Sequence, residues 1–285
     1  MTAHPPVPSA APEARDNTLA YPVADVEATV ITNEQVNEEY FHLVLAAPVP
    51  APSASAGQFF NLECPGAELG KPYLRRPMSV YRASPDQGRI EFLYKMVGLG
   101  THAMATLRPG QRMRAFGPLG NGFSLEPSWQ HIVVLGRGVG LATLAPLAEM
   151  ARGRGVAVTA ILSARSQAHI LSQDRFRVAG AEVRTVVDAD GSSETARVEA
   201  LLRDLNASRR IDAFYTCGSN RLMVLLQSLA REIGISGEVA MEQRMACGIG
   251  MCFCCVRDFR TPTGTESRRV CLDGPVFKLE EVITW

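Results

Sequence analysis

From Ala28 to about Leu125 apolar residues come in short runs broken by glycine and proline: ATVITNEQV, YFHLVLAAP, GQFFNLECP, RPMSVYRAS, GRIEFLYKMV and GQRMRAFGP. Period-two runs bounded by turn residues predict strands, and their number and spacing predict an antiparallel β-barrel. In RIEFLYKMV, Ile90, Phe92, Tyr94 and Met96 share one face and Leu93, Lys95 and Val97 the other. One face is therefore expected in the core, while the other is free to line a ligand groove.

At His131 the period changes. HIVVLGRGVGLATLAPLAEMARGRG reads as a strand, a glycine turn and a helix. The unit recurs: VAVTAILSAR is a strand, LSQDRFRVAG a short helix, AEVRTVVDADG a strand and ETARVEALLRDL a helix. IDAFYTCGSN is then a strand leading into the helix RLMVLLQSLAREIG. Strands alternating with helices predict a parallel sheet covered on both faces. The glycine turn and the TCGSN loop fall at strand C-terminal ends, where open α/β sheets bind ligands. The final stretch, rich in cysteine and ending VCLDGPVFKLEEVITW, reads as an appended module rather than a continuation of the sheet. The expected division is a mobile, proline-rich tail over 1–26, a barrel over 27–127, an α/β domain over 128–236 and a small module over 237–285.

Composition narrows the function. The 285 residues are 46% hydrophobic and 20% charged, ordinary values for a globular protein. The 29 basic and 29 acidic residues balance, which removes the electrostatic footprint of a nucleic-acid binder. With neither a long apolar run nor a signal-type N-terminus, the chain is expected away from the membrane, in the cytoplasm, with its thiols reduced.

Candidate chemistry is densest between Cys247 and Cys271, where five of the seven cysteines lie. Cys247, Cys252 and Cys255 make C-x4-C-x2-C, the plant-type [2Fe–2S] spacing, with Cys271 as a fourth ligand. Gly248 and Gly250 free the backbone to curl around inorganic sulfide. Structural zinc is disfavoured because Cys271 has no partner two to four residues away. Cys254 reads as a surplus thiol. Phe253 argues against a C-x-C ligand pair, since its bulk disfavours positive φ, and Cys255 is expected to complete a C-x2-C arc with Cys252. Cys64 reads as packing. In GRGVG, Gly136, Gly138 and Gly140 suit either a pyrophosphate or tight strand–helix packing, and Leu141 replaces the third glycine of the usual fingerprint. Cys217 is either a buried structural thiol or one that touches a cofactor ring. Arg75, Arg76 and Ser79 around RPMS suit a phosphate or ribityl chain, or form a solvated turn. The GLGT stretch, Gly98 to Thr101, is a phosphate loop or a plain turn.

Together these motifs, with GPLGNGF and DGPVF, resemble the electron-transfer subunit of the NAD-linked, type B dihydroorotate dehydrogenases, within the ferredoxin–NADP reductase superfamily. The resemblance spans about 28 to 285 and implies FAD, a [2Fe–2S] cluster and NAD as cofactors. It implies that Arg76, Pro77, Met78 and Ser79 bind flavin, with Met78 where wider relatives carry tyrosine, and that Leu93, Tyr94, Lys95, Gly100 and Thr101 hold the rest of FAD. Gly136, Gly138 and Gly140 would form the nicotinamide-nucleotide loop, Cys217 with Gly218 would meet the nicotinamide, and Cys247, Cys252, Cys255 and Cys271 would ligate iron. The implied partner is an FMN-containing catalytic dehydrogenase subunit in a hetero-oligomer. Arg137 and Ser219 depart from the family's usual glycine and proline. Two rivals share features of this pattern: a nicotinamide-linked reductase subunit of a hydrogenase or transhydrogenase-type complex, and a redox-sensing iron–sulfur protein. NAD is expected over NADP, although the second α/β strand ends in SARS, where Arg165 suits a 2′-phosphate.

Overall fold

A computed structural model describes residues 23–66, 70 and 72–284. The expected mobile tail lies outside the described residues up to 22, and its last positions, Ala24 to Val26, belong to the first strand. The N-terminal half contains β1 (Ala24–Gln35), β2 (Tyr40–Ala46), β3 (Phe59–Leu62), β4 (Arg76–Ser79), β5 (Arg82–Ser84), β6 (Arg89–Lys95), α1 (Leu99–Ala105) and β7 (Arg112–Leu119). The strands form one seven-stranded sheet in the order β4-β3-β7-β1-β2-β6-β5, antiparallel throughout. It curls into a half-barrel, and β4 and β5 remain its two edges. The alternation in β6 works as expected: Ile90, Phe92 and Tyr94 enter the barrel core with Leu43, Leu45 and Phe60, while Leu93 on the opposite face packs toward the second sheet.

The stretch read as a GLGT loop is the start of α1. Thr101 Oγ1 accepts the N–H groups of Val97 at 2.9 Å and Gly98 at 3.1 Å, which closes the turn that starts the helix. Met104, on this helix, is fully buried in the barrel core.

The second half runs β8 (His131–Arg137), α2 (Gly140–Gly153), β9 (Ala157–Ala164), α3 (Gln173–Val178), β10 (Glu182–Val187), α4 (Thr195–Ser208), β11 (Ala213–Cys217), α5 (Asn220–Ile233) and β12 (Ser236–Ala240). Its strands are parallel in the order β10-β9-β8-β11-β12. Period-two alternation divides the side chains between two cores. Val133, Leu135 and Ile161 pack with α4 and α5, whereas Ile132, Val134, Ala160 and Leu162 pack with α2 and α3. Strand order reverses between β8 and β11, so a crevice opens at their C-terminal ends.

The remaining chain forms β13 (Val256–Thr261), β14 (Gly264–Arg269), α6 (Val270–Asp273) and β15 (Val276–Lys278). The C-terminal module is present, but the expectation that it does not continue the sheet is corrected here. β15 pairs antiparallel with β12 and becomes the sixth strand of the α/β sheet, so the cysteine segment is a long excursion between two adjacent strands. Gln227 of α5 holds the returning chain through the carbonyls of Leu279 at 2.7 Å and Val282 at 2.8 Å. Phe277 packs on Phe259 of the hairpin with ring centroids 4.2 Å apart, a contact worth about 1 kcal/mol beyond simple burial. Among the described residues no helix is long and apolar enough to cross a membrane.

Candidate redox site between the two sheets

RPMS occupies edge strand β4, beside the outer face of β6. A cleft of about 280 Å³ opens there, lined by Arg76, Pro77, Met78, Ser79, Leu93, Tyr94, Lys95 and Thr101. Gly100 adjoins it: a Cβ there would stand 2.5 Å from Arg76 Nε, so the bare glycine lets the guanidinium lie against the first turn of α1. A cation, hydroxyls and an apolar wall in one elongated groove fit a flavin nucleotide, whose ring is apolar and whose tail is anionic. Thr101 lines the groove with its hydroxyl already committed to the preceding turn. Tyr94 turns its hydroxyl away, to Asn33 Oδ1 at 3.1 Å, and burial raises that phenol far above its ordinary range.

The far wall of this cleft comes from elements that sequence reading passed over. Val139, Ala142 and Thr143 of the glycine turn and α2, and Met241, Glu242, Gln243 and Met245 after β12, all face it. Apart from Val139, inside GRGVG, none belongs to a motif, and only the packing of the two sheets brings them opposite β4 and β6.

A second cleft of about 200 Å³ lies at the strand-order reversal, lined by Thr216, Cys217, Gly218, Ser219, Asn220 and Glu242 among others. The glycines here allow two loops to meet. At Gly140 an added Cβ would stand 2.5 Å from the Cys217 carbonyl, and at Gly218, where φ is +88°, it would lie 2.2 Å from the Arg137 carbonyl. Gly136 instead admits Leu144 of α2 against β8. Gly138 takes φ +55° and faces the Tyr40 hydroxyl. The buried Thr216 Oγ1 has no hydrogen-bond partner, a polar atom available to a ligand in this cleft. Ser219 caps α5 by accepting from Leu222 N at 3.4 Å. Arg137 is engaged with Asp188, Nη2 to Oδ2 at 2.5 Å, and with Ser163 Oγ at 3.0 Å.

Cys217 lines the second cleft, and Thr143, which lines the first, bonds to it. Burial, reinforced by the nearby Glu242 charge, pushes its thiol far above the ordinary range despite that bond. It is therefore a neutral thiol at physiological pH, a small polarisable contact rather than a nucleophile. Glu242 lines both clefts, and although its side chain is exposed, desolvation by the surrounding protein raises its carboxyl above the usual range.

From Met245 the chain runs directly into the cysteine loop. Gly248 and Gly250 take φ +76° and +79°, curling the backbone as expected. The thiols are grouped differently from the expected C-x2-C arc. Cys252 bonds to Cys247, and Cys255 accepts from the N–H of Cys271 at 3.4 Å. Among the described residues no three acidic, histidine or cysteine side chains converge as a metal site, and the sulfurs stand as two pairs. Two sulfur pairs, with N–H groups of Ile249 aimed at Cys247 Sγ (3.5 Å) and of Gly250 at Cys271 Sγ (3.2 Å), fit a binuclear cluster, which takes two thiolates per iron. Burial alone would raise the Cys247 thiol, but N–H donors and Cys252 bring it down to about 7. Burial and neighbouring Cys255 push Cys271 up to about 12.

Phe253 was expected to avoid positive φ, yet it has φ +56°. The reversal between the two thiol pairs demands a left-handed residue, and the sequence places phenylalanine there. Cys254 then faces outward, its sulfur 3.8 Å from the Arg244 carbonyl, while Cys255 is buried. Ile249, Met251 and Phe253 project from the loop at 43%, 75% and 63% exposure, an apolar rim around the cysteines. The loop is fastened to the half-barrel by Asn61 of β3, whose Nδ2 donates to the Cys247 carbonyl at 3.2 Å, and by Asn121, whose backbone N donates to Gly274 O at 2.6 Å. Cys64 lies in the barrel core, as packing.

Residues 242–283 match the model of the iron–sulfur cluster binding domain of dihydroorotate dehydrogenase B. A dihydroorotate dehydrogenase B (NAD(+)) electron transfer subunit from Desulforamulus reducens is 31% identical over 90% of this chain and 97% of its own length. The subunit of the same name from Bacillus caldolyticus is 33% identical at the same coverage. A solved structure reported for flavin-based electron bifurcation by NADH-dependent reduced ferredoxin-NADP oxidoreductase is 27% identical, with TM-score 0.76 over 90% of each chain. The ferredoxin reductase of carbazole 1,9a-dioxygenase shares the fold, at TM-score 0.60 and 21% identity over 75% of this chain and 66% of its own.

Proposed function

The chain belongs to the family of dihydroorotate dehydrogenase B electron transfer subunits, and from that premise we propose that it passes electrons between a catalytic dehydrogenase partner and NAD in dihydroorotate oxidation, within the cytoplasm. FAD exchanges a hydride with a nicotinamide and single electrons with iron–sulfur, and the cluster relays single electrons to and from the partner. The observation that carries the reading is continuity. Glu242 lines both clefts, and the residues just after it enter the cysteine loop, which supports flavin, nicotinamide and cluster lying close together.

In this reading Arg76 neutralises the flavin's phosphates, Ser79 and Lys95 orient its polar edge, and Leu93 and Met78 exclude water from its ring. Gly138, Gly140 and Gly218 let a nicotinamide nucleotide approach the backbone of both loops, and the neutral Cys217 thiol packs at the ring without competing as a nucleophile. Cys247, Cys252, Cys255 and Cys271 hold the cluster beneath the rim of Ile249, Met251 and Phe253, where an FMN-containing partner docks.

The test is reconstitution. Purified protein should hold FAD and about two iron atoms per chain and should reduce ferricyanide with NADH. It should turn over dihydroorotate only with its catalytic subunit, and dihydroorotate oxidation by the chain alone would refute the assignment. The likeness to the bifurcating oxidoreductase favours a second reading, a subunit of a transhydrogenase-type complex, which the identity of the co-purifying partner separates from the first. A purely sensory role has no use for two nucleotide clefts.

A further inference from the structure

β9 ends in Ala164, and Arg165 follows it at the C-terminal edge of the parallel sheet. At the end of the second strand, a dinucleotide-binding sheet places the side chain that reads the adenosine ribose: a carboxylate for a free 2′-hydroxyl, or an arginine for a 2′-phosphate. The local sequence offers only the arginine. The structure supplies carboxylates from elsewhere. Arg165 Nη2 donates to Glu38 Oε1 at 3.1 Å and lies 3.2 Å from Glu39 Oε1. His169 completes the set, its Nε2 3.0 Å from the same Glu38 oxygen.

Both glutamates sit on the turn between β1 and β2, in the other sheet. That turn is held in place: Asn37 Oδ1 accepts from Glu39 N at 3.0 Å and Tyr40 N at 3.1 Å, and Lys95 Nζ lies 3.4 Å from Glu39 Oε2. The Tyr40 hydroxyl, one residue on, stands over Gly138, so the turn shares a mouth with the glycine loop. Glu38 is largely exposed there.

Resting on the NAD-linked reading above, we propose that Glu38 and Glu39 are the residues that select NAD(H) over NADP(H), acting across the gap between the two sheets. Two carboxylates engage the one guanidinium, and Lys95 offsets only Glu39, so a 2′-phosphate meets an arginine already occupied, beside the exposed Glu38 carboxylate, where Arg165 alone would welcome it. Glu38 keeps an acceptor oxygen for the 2′-hydroxyl of an unphosphorylated ribose. The discriminating charge thus comes from the flavin-bearing sheet, and the nucleotide sheet contributes the residue it masks.

The experiment is the Glu38→Gln/Glu39→Gln double variant of the full chain with its cofactors, compared with wild type in two measurements. One is kcat/KM for ferricyanide reduction with NADPH and with NADH. The other is calorimetric binding of adenosine 2′,5′-bisphosphate against ADP. The NADPH-to-NADH ratio should rise tenfold or more, bisphosphate binding should tighten to match, and adding Arg165→Ala should abolish both gains. An unchanged ratio and unchanged bisphosphate affinity in a variant that retains its flavin would overturn the proposal. So would gains that survive Arg165→Ala. A wild-type chain that oxidises neither nucleotide would instead strike the functional reading, and bisphosphate binding would still decide this one.

Discussion

Phe253 shows what a single residue bears at the cysteine loop. A bulky side chain at φ +56° costs on the order of 1–3 kcal/mol. Phe253→Gly should therefore stabilise the loop by about 1 kcal/mol without losing iron, as read from the thermal midpoint and from iron content. Replacing Cys255 by serine should strip the cluster, whereas Cys254→Ser should keep iron, sulfide and the visible spectrum. Arg76→Ala removes a charge-assisted contact worth about 2 kcal/mol, so FAD affinity should fall about 30-fold in a flavin-release titration, with iron unchanged. Asn61 reaches the Cys247 carbonyl from the half-barrel, and its Oδ1 is buried without a partner. Asn61→Ala should speed loss of iron to a chelator several-fold while leaving flavin in place. These residues differ in how plainly the sequence announces them. Cysteine spacing and the RPMS segment are local patterns, whereas Asn61 and Glu242 acquire meaning only from a neighbour far away in the chain.

At the scale of elements, the long periodic segments were readable because each buries a face repeatedly. β6, β8, β9 and α5 fall where alternation or helical spacing puts them. The misreadings are short. α1 has seven residues and begins beside a glycine pair, so turn chemistry masked its helical period. β15 has three, too few to show alternation, and its place at the sheet edge depends on β12 and on Gln227. The meeting of the two loops at the crevice was legible in composition but not in geometry. Gly218→Ala would drive a Cβ into the Arg137 carbonyl, so the loops must part. NADH-dependent ferricyanide reduction should drop at least tenfold while flavin and iron contents stay at wild-type levels.

For the whole molecule, the half-barrel and the parallel sheet each have their own core, and the functional sites lie on the surfaces they turn toward each other. In the proposed reading, the exposed apolar rim of Ile249, Met251 and Phe253 is where the catalytic partner would dock. Met251→Asp, a charge on an exposed loop tip, should leave NADH–ferricyanide activity near wild type and weaken assembly with the catalytic subunit at least tenfold by sedimentation or calorimetry. Equal affinity for both forms would move the docking face elsewhere.

The return of β15 to the sheet also governs the order in which the protein is completed on the ribosome. β12 is synthesised well before its outer neighbour, and until Val276 to Lys278 emerge its hydrogen-bonding edge stands open. Exposed edges recruit other strands. A nascent chain paused within the cysteine segment, or one cut short before Val276, therefore presents an adhesive border during the interval in which iron would be delivered. Cells that make this protein slowly, or starved of iron, should accumulate it in inclusions that begin at this border rather than at the half-barrel, and a stop codon after Asp273 should reproduce that fate with iron in plentiful supply.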